Sequence, residues 1–321
     1  MRREGSPWAG LGVVFMKELS DHLSSVRMIV LQTLVVITAF VAVFGAVSQL
    51  KDATAEDPYL YLRLFTVTSE RFPLPPLVQF LGFLVPLMAI GLGFDAVNGE
   101  HNRRTLSRIL AQPIYRDALL FGKFLAGLAT IGIGLLTLWL LVIGYGLLAL
   151  GLPPGGEELA RAFLFLLVTI AFAGVWLALA LLFSIVFRSA ATAALVALGV
   201  WLFLSVIWPA LSPALAAVIA PPDPRYAALG LPTPETAEIQ TVLARFSPSI
   251  LFQEVVLALL DPSTRALGLI YVSQLQGAVA GALPLQESVA MALPQIVGLI
   301  AGTIVLFVIG YIVFQRQEVR A

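Results

Sequence analysis

The chain has 321 residues, 59% of them hydrophobic and 12% charged, with 19 basic and 19 acidic side chains in balance. Half the charge of an ordinary soluble domain is missing, and so much apolar residue excludes a disordered chain. Zero net charge gives no basic field for nucleic acid, and the absence of cysteine excludes disulfides, thiolate catalysis and cysteine-held metals.

In chain order, Arg2 and Arg3 are followed by Lys17, Glu18 and Asp21, which interrupt any signal-peptide core. Residues 7–23 place Trp8, Leu11, Phe15, Leu19 and Leu23 at helical spacing, with the charges around the rest. That pattern predicts a helix lying in the membrane interface. Six apolar runs follow at 28–47, 77–94, 124–150, 162–187, 190–208 and 292–314, each near the ~20 residues a spanning helix needs. The second ends at Asp95 and the sixth at Arg316. Arg188 ends the fourth, and the fifth follows at once, which predicts a tight hairpin. The expected fold is an all-α integral membrane protein of one domain, 1–321, with about six transmembrane helices. Lysine and arginine concentrate in the flanks 1–27, 98–123, 188–189 and 315–321, while Asp52, Glu56, Asp57, Glu157 and Glu158 fall on the other side. The positive-inside rule then puts both termini in the cytoplasm and the chain in the inner (cytoplasmic) membrane.

The long stretch 220–291 is expected outside. Within it Ser247 is a helix cap, Pro248 the first helical position, and Ile250, Leu251, Val255, Leu259 and Leu260 one apolar face before Asp261-Pro262. Residues 267–283 are too weakly apolar to span; whether they dip into the outer leaflet stays open. No internal repeat supports the inverted-repeat design of many secondary transporters.

The informative stretch is 95–124, DAVNGEHNRRTLSRILAQPIYRDALLFGKF. Its second spanning helix is expected to end near Asn98-Gly99, with Gly99 as a left-handed cap. Residues 100–110 then form a short helix with Leu106, Ile109 and Leu110 apolar and Arg103, Arg104 and Arg108 exposed. Pro113 ends it, and a new helix starts near Asp117, a carboxylate suited to a helix N-terminus. Arg116 and Lys123 are expected to snorkel to the interface, and Glu100 and Arg104 to stand in water. On charge alone this elbow is positive-inside decoration.

The order of residue types says more. Glu100, Thr105-Leu106, Leu110-Ala111-Gln112-Pro113, Arg116 and Gly122-Lys123 together resemble the signature of the type-2 ATP-binding-cassette (ABC) export permeases. One departure is Arg104, where that family often has glycine. The layout is also similar to such permeases: an interfacial helix at 7–23, a coupling helix at 100–112 between helices two and three, and short outer helices at 247–283. The chain looks most like the six-helix permeases associated with nitrous-oxide-reductase maturation and with multidrug export. The resemblance implies export, a homodimer in lipid, and a separate ABC ATPase subunit that holds ATP and Mg²⁺. Spans without charge and rich in Phe, Trp and Leu suit an apolar or amphipathic substrate, although lipid-facing surfaces need the same residues. It implies ATPase coupling through Glu100, Arg103, Arg104, Thr105, Leu106, Ile109, Leu110, Pro113 and Arg116.

No G-x-x-x-x-G-K-[ST] occurs in the chain, so it carries no cofactor site or ATPase activity of its own. His22 and His101 lack metal-ligand spacing, and Met16, Met28, Met88 and Met291 are scattered as packing residues. Asp95 reads either as a proton site or, beside Arg103 and Arg104, as a paired interface residue. Ser184 and Ser205 have no basic partner for hydrolase chemistry. Gly298 and Gly302 permit close helix packing, or form an ordinary small-residue seam. An ion- or proton-coupled carrier remains as an alternative, weakened because no charge lies deep in the six runs. A membrane anchor without transport remains as another.

Overall fold

The computed structural model describes residues 10–50, 59–68, 75–102, 115–227, 232–268 and 281–317. Arg103, Arg104, Thr105, Leu106, Arg108, Ile109, Leu110 and Pro113 lie outside them, as do Trp8 and most of 267–283. The described residues are helical with no strand: α1 (Leu11–Ser24), α2 (Val26–Leu50), α3 (Leu60–Thr66), α4 (Leu77–Gly93), α5 (Asn98–Asn102), α6 (Arg116–Leu150), α7 (Gly156–Val186), α8 (Ala190–Ile219), α9 (Pro234–Ala244), α10 (Pro248–Leu260) and α11 (Leu285–Arg316). Six are long and apolar enough to cross a membrane: α2, α4 with α5, α6, α7, α8 and α11.

Helix α7 is the trunk. Its span is mostly buried, and it packs against α4, α6, α8, α10 and α11. Phe172 of α7 stacks on Phe252 of α10 with ring centroids 4.4 Å apart, and Trp176 is fully buried beside it. The α4–α7 approach requires a glycine: a Cβ on Gly93 would lie 2.8 Å from the Ala180 Cβ. Helices α8 and α11 instead turn Leu195, Val206, Ile304 and Val305 outward, a surface suited to lipid.

Helix α6 has 35 residues, about 52 Å at 1.5 Å per residue, against a hydrocarbon core of about 30 Å. Its first turns therefore extend well before the apolar run, and α1 packs on them. Gly151 ends it in the left-handed conformation, φ 71°, that only glycine adopts at low cost.

At the opposite end of the bundle α9 and α10 form a pair bent by 108°, so this segment folds back on itself. Ser247 caps α10 by accepting from the Ile250 N–H, as the sequence suggested, and Thr233 caps α9 by accepting from Thr236. Helix α8 contains a π-helical turn at Phe203–Ile207. Pro209 has no N–H to offer the carbonyl four residues back, so the ladder shifts and the Trp208 N–H reaches the Phe203 carbonyl instead.

The expected left-handed Gly99 cap is not formed. Helix α4 stops at Gly93, the chain turns over 94–97, and Gly99 lies inside α5 without a positive φ. Ser184 of α7 supplies the reason: its Oγ accepts from both Val97 N–H (3.0 Å) and Asn98 N–H (3.2 Å), so the freed donors are satisfied without a left-handed residue.

Candidate functional site: a polar bracket at the elbow

Lys123 sits on the buried stripe of α6, in register with Leu119, Ala126 and Thr130. Its ammonium cannot leave that stripe for water, and two carboxylates come to it instead. Lys123 Nζ lies 2.9 Å from Glu18 Oε1 of α1 and 2.7 Å from Glu100 Oε1 of α5. The lysine side chain is 4% exposed and the two glutamates 10% and 14%. Lys123 thus does not snorkel and Glu100 does not stand in water: a buried charge keeps its place when paired charges satisfy it.

Helix α1 is fixed here by shape as well. Val14 and Glu18, one turn apart, are its two buried residues. A Cβ on Gly122 would lie 2.7 Å from Val14 Cγ1, so glycine at 122 admits Val14 while its neighbour binds Glu18. Lys17 reaches the same carboxylate oxygen at 2.9 Å from the solvent side and also pairs with Asp21.

Burial pushes the Glu18 carboxyl up, but Lys123 and Lys17 together outweigh it and hold it below the usual glutamate range. His22, one further turn along α1, is pushed down mainly by burial, helped by Lys123 and Arg27 and opposed by Glu18 and Asp95. Both shifts have one sign for stability. The released chain binds more protons than the docked one, below about 6.5 for His22 and below about 4.5 for Glu18, so docking weakens as pH falls. The protection factors of the α1 amides, that is exchange corrected for its intrinsic pH dependence, should therefore fall in two steps, the first as pH drops below about 6.5 and the second below about 4.5. Protection factors unchanged across that range would show that neither group holds the helix.

The elbow root, 94–102, is tied on every side. Arg27 at the start of α2 makes a bidentate pair with Asp95 at 3.0 Å per bond, donates to the Gly91 carbonyl and lies over the Phe94 ring. Asp95 is thus a paired residue, with Arg27 as its partner. Asn98 Nδ2 donates to the Phe94 and Phe187 carbonyls, and Asn102 Nδ2 to the Arg188 carbonyl at the α7–α8 corner.

Arg116 takes a different partner. It donates to the carbonyls of Phe314, Gln315 and Gln317, placing a cation on the C-terminus of α11, where the helix dipole favours it. Asp117 accepts from Tyr311 Oη and Gln315 Nε2 of the same helix.

Of the nine elbow residues singled out in the sequence, Glu100 and Arg116 are described; they stand at one end of the bundle on different partners. Gly298 and Gly302 do not share a neighbour: Leu251 of α10 packs on Gly298, while nothing lies within 4 Å of a Cβ at Gly302. Sequence reasoning missed Glu18, Asn98 and Ser184 as members of the bracket. Glu18 had a signal, a charge one turn from Val14 and two from Leu11 on the same helical stripe. The bracket contains no nucleophile with a base, and its capacity is mechanical. A displacement of residues 103–114 would act on a root joined to α1, α2, α6 and α7 by short bonds, buried at Lys123 and Ser184 and exposed at Arg27 and Asn102.

Residues 13–319 match the family described as ABC-2 family transporter protein. The chain is 34% identical over 140 residues to a probable ABC transporter permease protein NosY of Stutzerimonas stutzeri, covering 42% of this chain and 49% of that one. It is 34% identical over 142 residues to the protein of the same name from Pseudomonas aeruginosa, covering 42% and 50%. The chain spans about half the length of the curated relatives it matches.

Proposed function

We propose, since the chain belongs to the ABC-2 family of transporter proteins, that it is the permease subunit of an ABC exporter driven by ATP hydrolysis in a separate ATPase subunit. The observation that carries this reading beyond the family is the bracket around Lys123. The elbow that would receive the ATPase is rooted in a buried ion triad and in the α7–α8 corner, so it can pass motion to the membrane helices without first bending. Glu100 fixes that root, and residues 103–114 with Arg116 form the receiving surface. ATP and Mg²⁺ belong to the partner, since the chain has no phosphate-binding loop. The basic flanks support an elbow and both termini in the cytoplasm, with 220–291 outside the inner membrane. Two copies would complete the translocator, and the cargo is an apolar or amphipathic molecule. The names of the two relatives support the permease reading.

The test is association. An ATPase subunit should co-purify with the full chain from its host, and the chain alone should hydrolyse no ATP. Arg104→Glu should weaken the association by about 1–3 kcal/mol, the cost of losing a charge pair at an interface. Hydrolysis by the chain free of partners, or unchanged binding by Arg104→Glu, would overturn this account of the elbow.

A further inference from the structure

Glu254 of α10 is a buried carboxylate that belongs neither to the bracket nor to the six apolar runs. We propose that it is a proton-binding site, in which Arg245 favours the charged form and Gln295 of α11 receives the acid form. The site goes beyond the permease reading and does not rest on it.

The bent pair α9–α10 carries this charge to membrane depth. Ser249 at the start of α10 shares a hydrogen bond of 2.7 Å with Ser205, which lies about 22 Å along α8 from the elbow end at 1.5 Å per residue. Phe252 stacks on Phe172, about 21 Å along α7 from the same end. The Leu259 carbonyl is held by Arg161, about 38 Å along. Helix α10 therefore starts inside a hydrocarbon layer of about 30 Å and rises out of it, with Glu254 close to the far edge. A charge at that depth is costly, and where one is kept it marks an ion or proton site.

The surroundings of Glu254 are few and specific. Arg245 Nε donates to Oε2 at 2.9 Å and to Oε1 at 3.3 Å, and Gln295 Nε2 donates to Oε2 at 2.8 Å. The Glu254 side chain is 11% exposed and that of Arg245 35%, so water reaches the cation and hardly the carboxylate. The other elements packed on α10 bring no second charge to it. Helices α4 and α8 carry no titratable residue. On α7, Arg161 is bonded to Glu157, Ser288 and two carbonyls, and Glu158 to the Tyr61 N–H of α3. Tyr61 Oη donates to the Leu152 carbonyl, and Arg63 of α3 lines the cavity on the side of Gln253. Glu235 and Glu238 of α9 are exposed, and Glu287 of α11 lies two turns beyond Gln295.

Gln295 itself is 3% exposed, and its Oε1 is buried with no donor. A half-satisfied buried network is costly, and the missing bond identifies what completes it. A carboxylate has no donor to offer that oxygen, whereas a carboxylic acid has one. A proton taken from water onto Glu254 supplies it. Acid and primary amide then pair by two bonds, the amide N–H to the acid carbonyl and the acid O–H to the amide carbonyl. Arg245 keeps its own proton and loses its counter-ion, at a side chain that already meets water. Proton binding thus exchanges a tie at the α9–α10 corner for a second bond between α10 and α11.

The experiment records acid-induced infrared difference spectra of the full chain in nanodiscs, from about pH 8 to about pH 4, a range that covers ordinary carboxylates. Subtracting the Glu254→Gln spectrum from that of the wild type should leave one acid-form carbonyl band. In Gln295→Leu this band should move to higher wavenumber, because the acid carbonyl loses the amide N–H. In Arg245→Gln it should appear at a proton concentration at least tenfold lower, because no cation is left to favour the carboxylate. Arg245 is one-third exposed, so this variant carries the test if Glu254→Gln is unstable. No band separating wild type from Glu254→Gln, or no shift in Arg245→Gln, overturns the proposal. A band at the same wavenumber in Gln295→Leu removes the amide as the acceptor of the acid form and overturns it too. The spectra involve no ATPase, so failure to find that partner leaves this result standing, and failure here leaves the permease reading standing.

Discussion

Replacing Lys123 by methionine should release α1 from α6, destabilise the chain by about 3–5 kcal/mol and abolish ATPase association. The magnitude follows from what remains rather than from what is removed. Glu18 and Glu100 would stay as buried carboxylates facing each other with their shared cation gone, and breaking one side of a buried charge group costs about that much. Lys17 cannot take over. It touches the same Glu18 oxygen but is half-exposed, where such a pair contributes less than about 1 kcal/mol, and it bonds only its neighbours on α1. The triple variant Lys123→Met, Glu18→Gln, Glu100→Gln should recover much of the stability, because no uncompensated charge remains. It should not recover the ATPase, because the elbow root is no longer tied to α1. Thermal unfolding, exchange of α1 amides and pull-down separate the two effects. Unchanged Tm and unchanged protection of α1 in Lys123→Met would mean that Val14 against Gly122 holds the helix alone.

The six spanning helices were legible because lipid imposes one simple demand, about twenty residues without charge, and the chain meets it six times. Ser247-Pro248 announced α10 for a similarly local reason. The bracket was not legible, since its decisive contacts are distant. Glu18 meets Lys123 across 105 residues, and Ser184 meets the elbow across 87. An isolated lysine near a helix end does snorkel, and only the arrival of two carboxylates makes burial the better state. Gly99 misled for the same reason: a glycine at a helix end suggests a left-handed cap, but a serine from α7 satisfies the turn. The Gly122-Lys123 pair was visible as a motif without a cause. The structure supplies one, since glycine clears the way for α1 and lysine binds it.

Arg161→Met should loosen the other end of the molecule and leave the elbow intact. The side chain has 0% exposure and donates to four groups: Glu157 Oε1 at 2.9 Å, the Leu259 carbonyl at 3.1 Å, Ser288 Oγ at 3.1 Å and the Leu283 carbonyl. The pair with Glu157 contributes least, because that carboxylate is 41% exposed and water can replace its partner. The loss comes from the two carbonyls, left buried with no donor at about 1–3 kcal/mol each, so a total near 3 kcal/mol or more is expected. Leu259 lies in the last turn of α10 and Leu283 just before α11, so the guanidinium closes one helix and positions the start of the next. Arg161→Lys should recover little, since one ammonium on a flexible stem cannot reproduce a planar fork that reaches three elements. Hydrogen exchange should quicken at 250–260 and 282–290 while α1 and 94–102 stay protected. ATPase association should persist. Combined with Lys123→Met, the two losses should add, because the sites stand at opposite ends of the bundle and share no partner. Equal loss of protection at both ends in Arg161→Met alone would show one cooperative unit, and would remove the basis for treating the two ends of the bundle as separable.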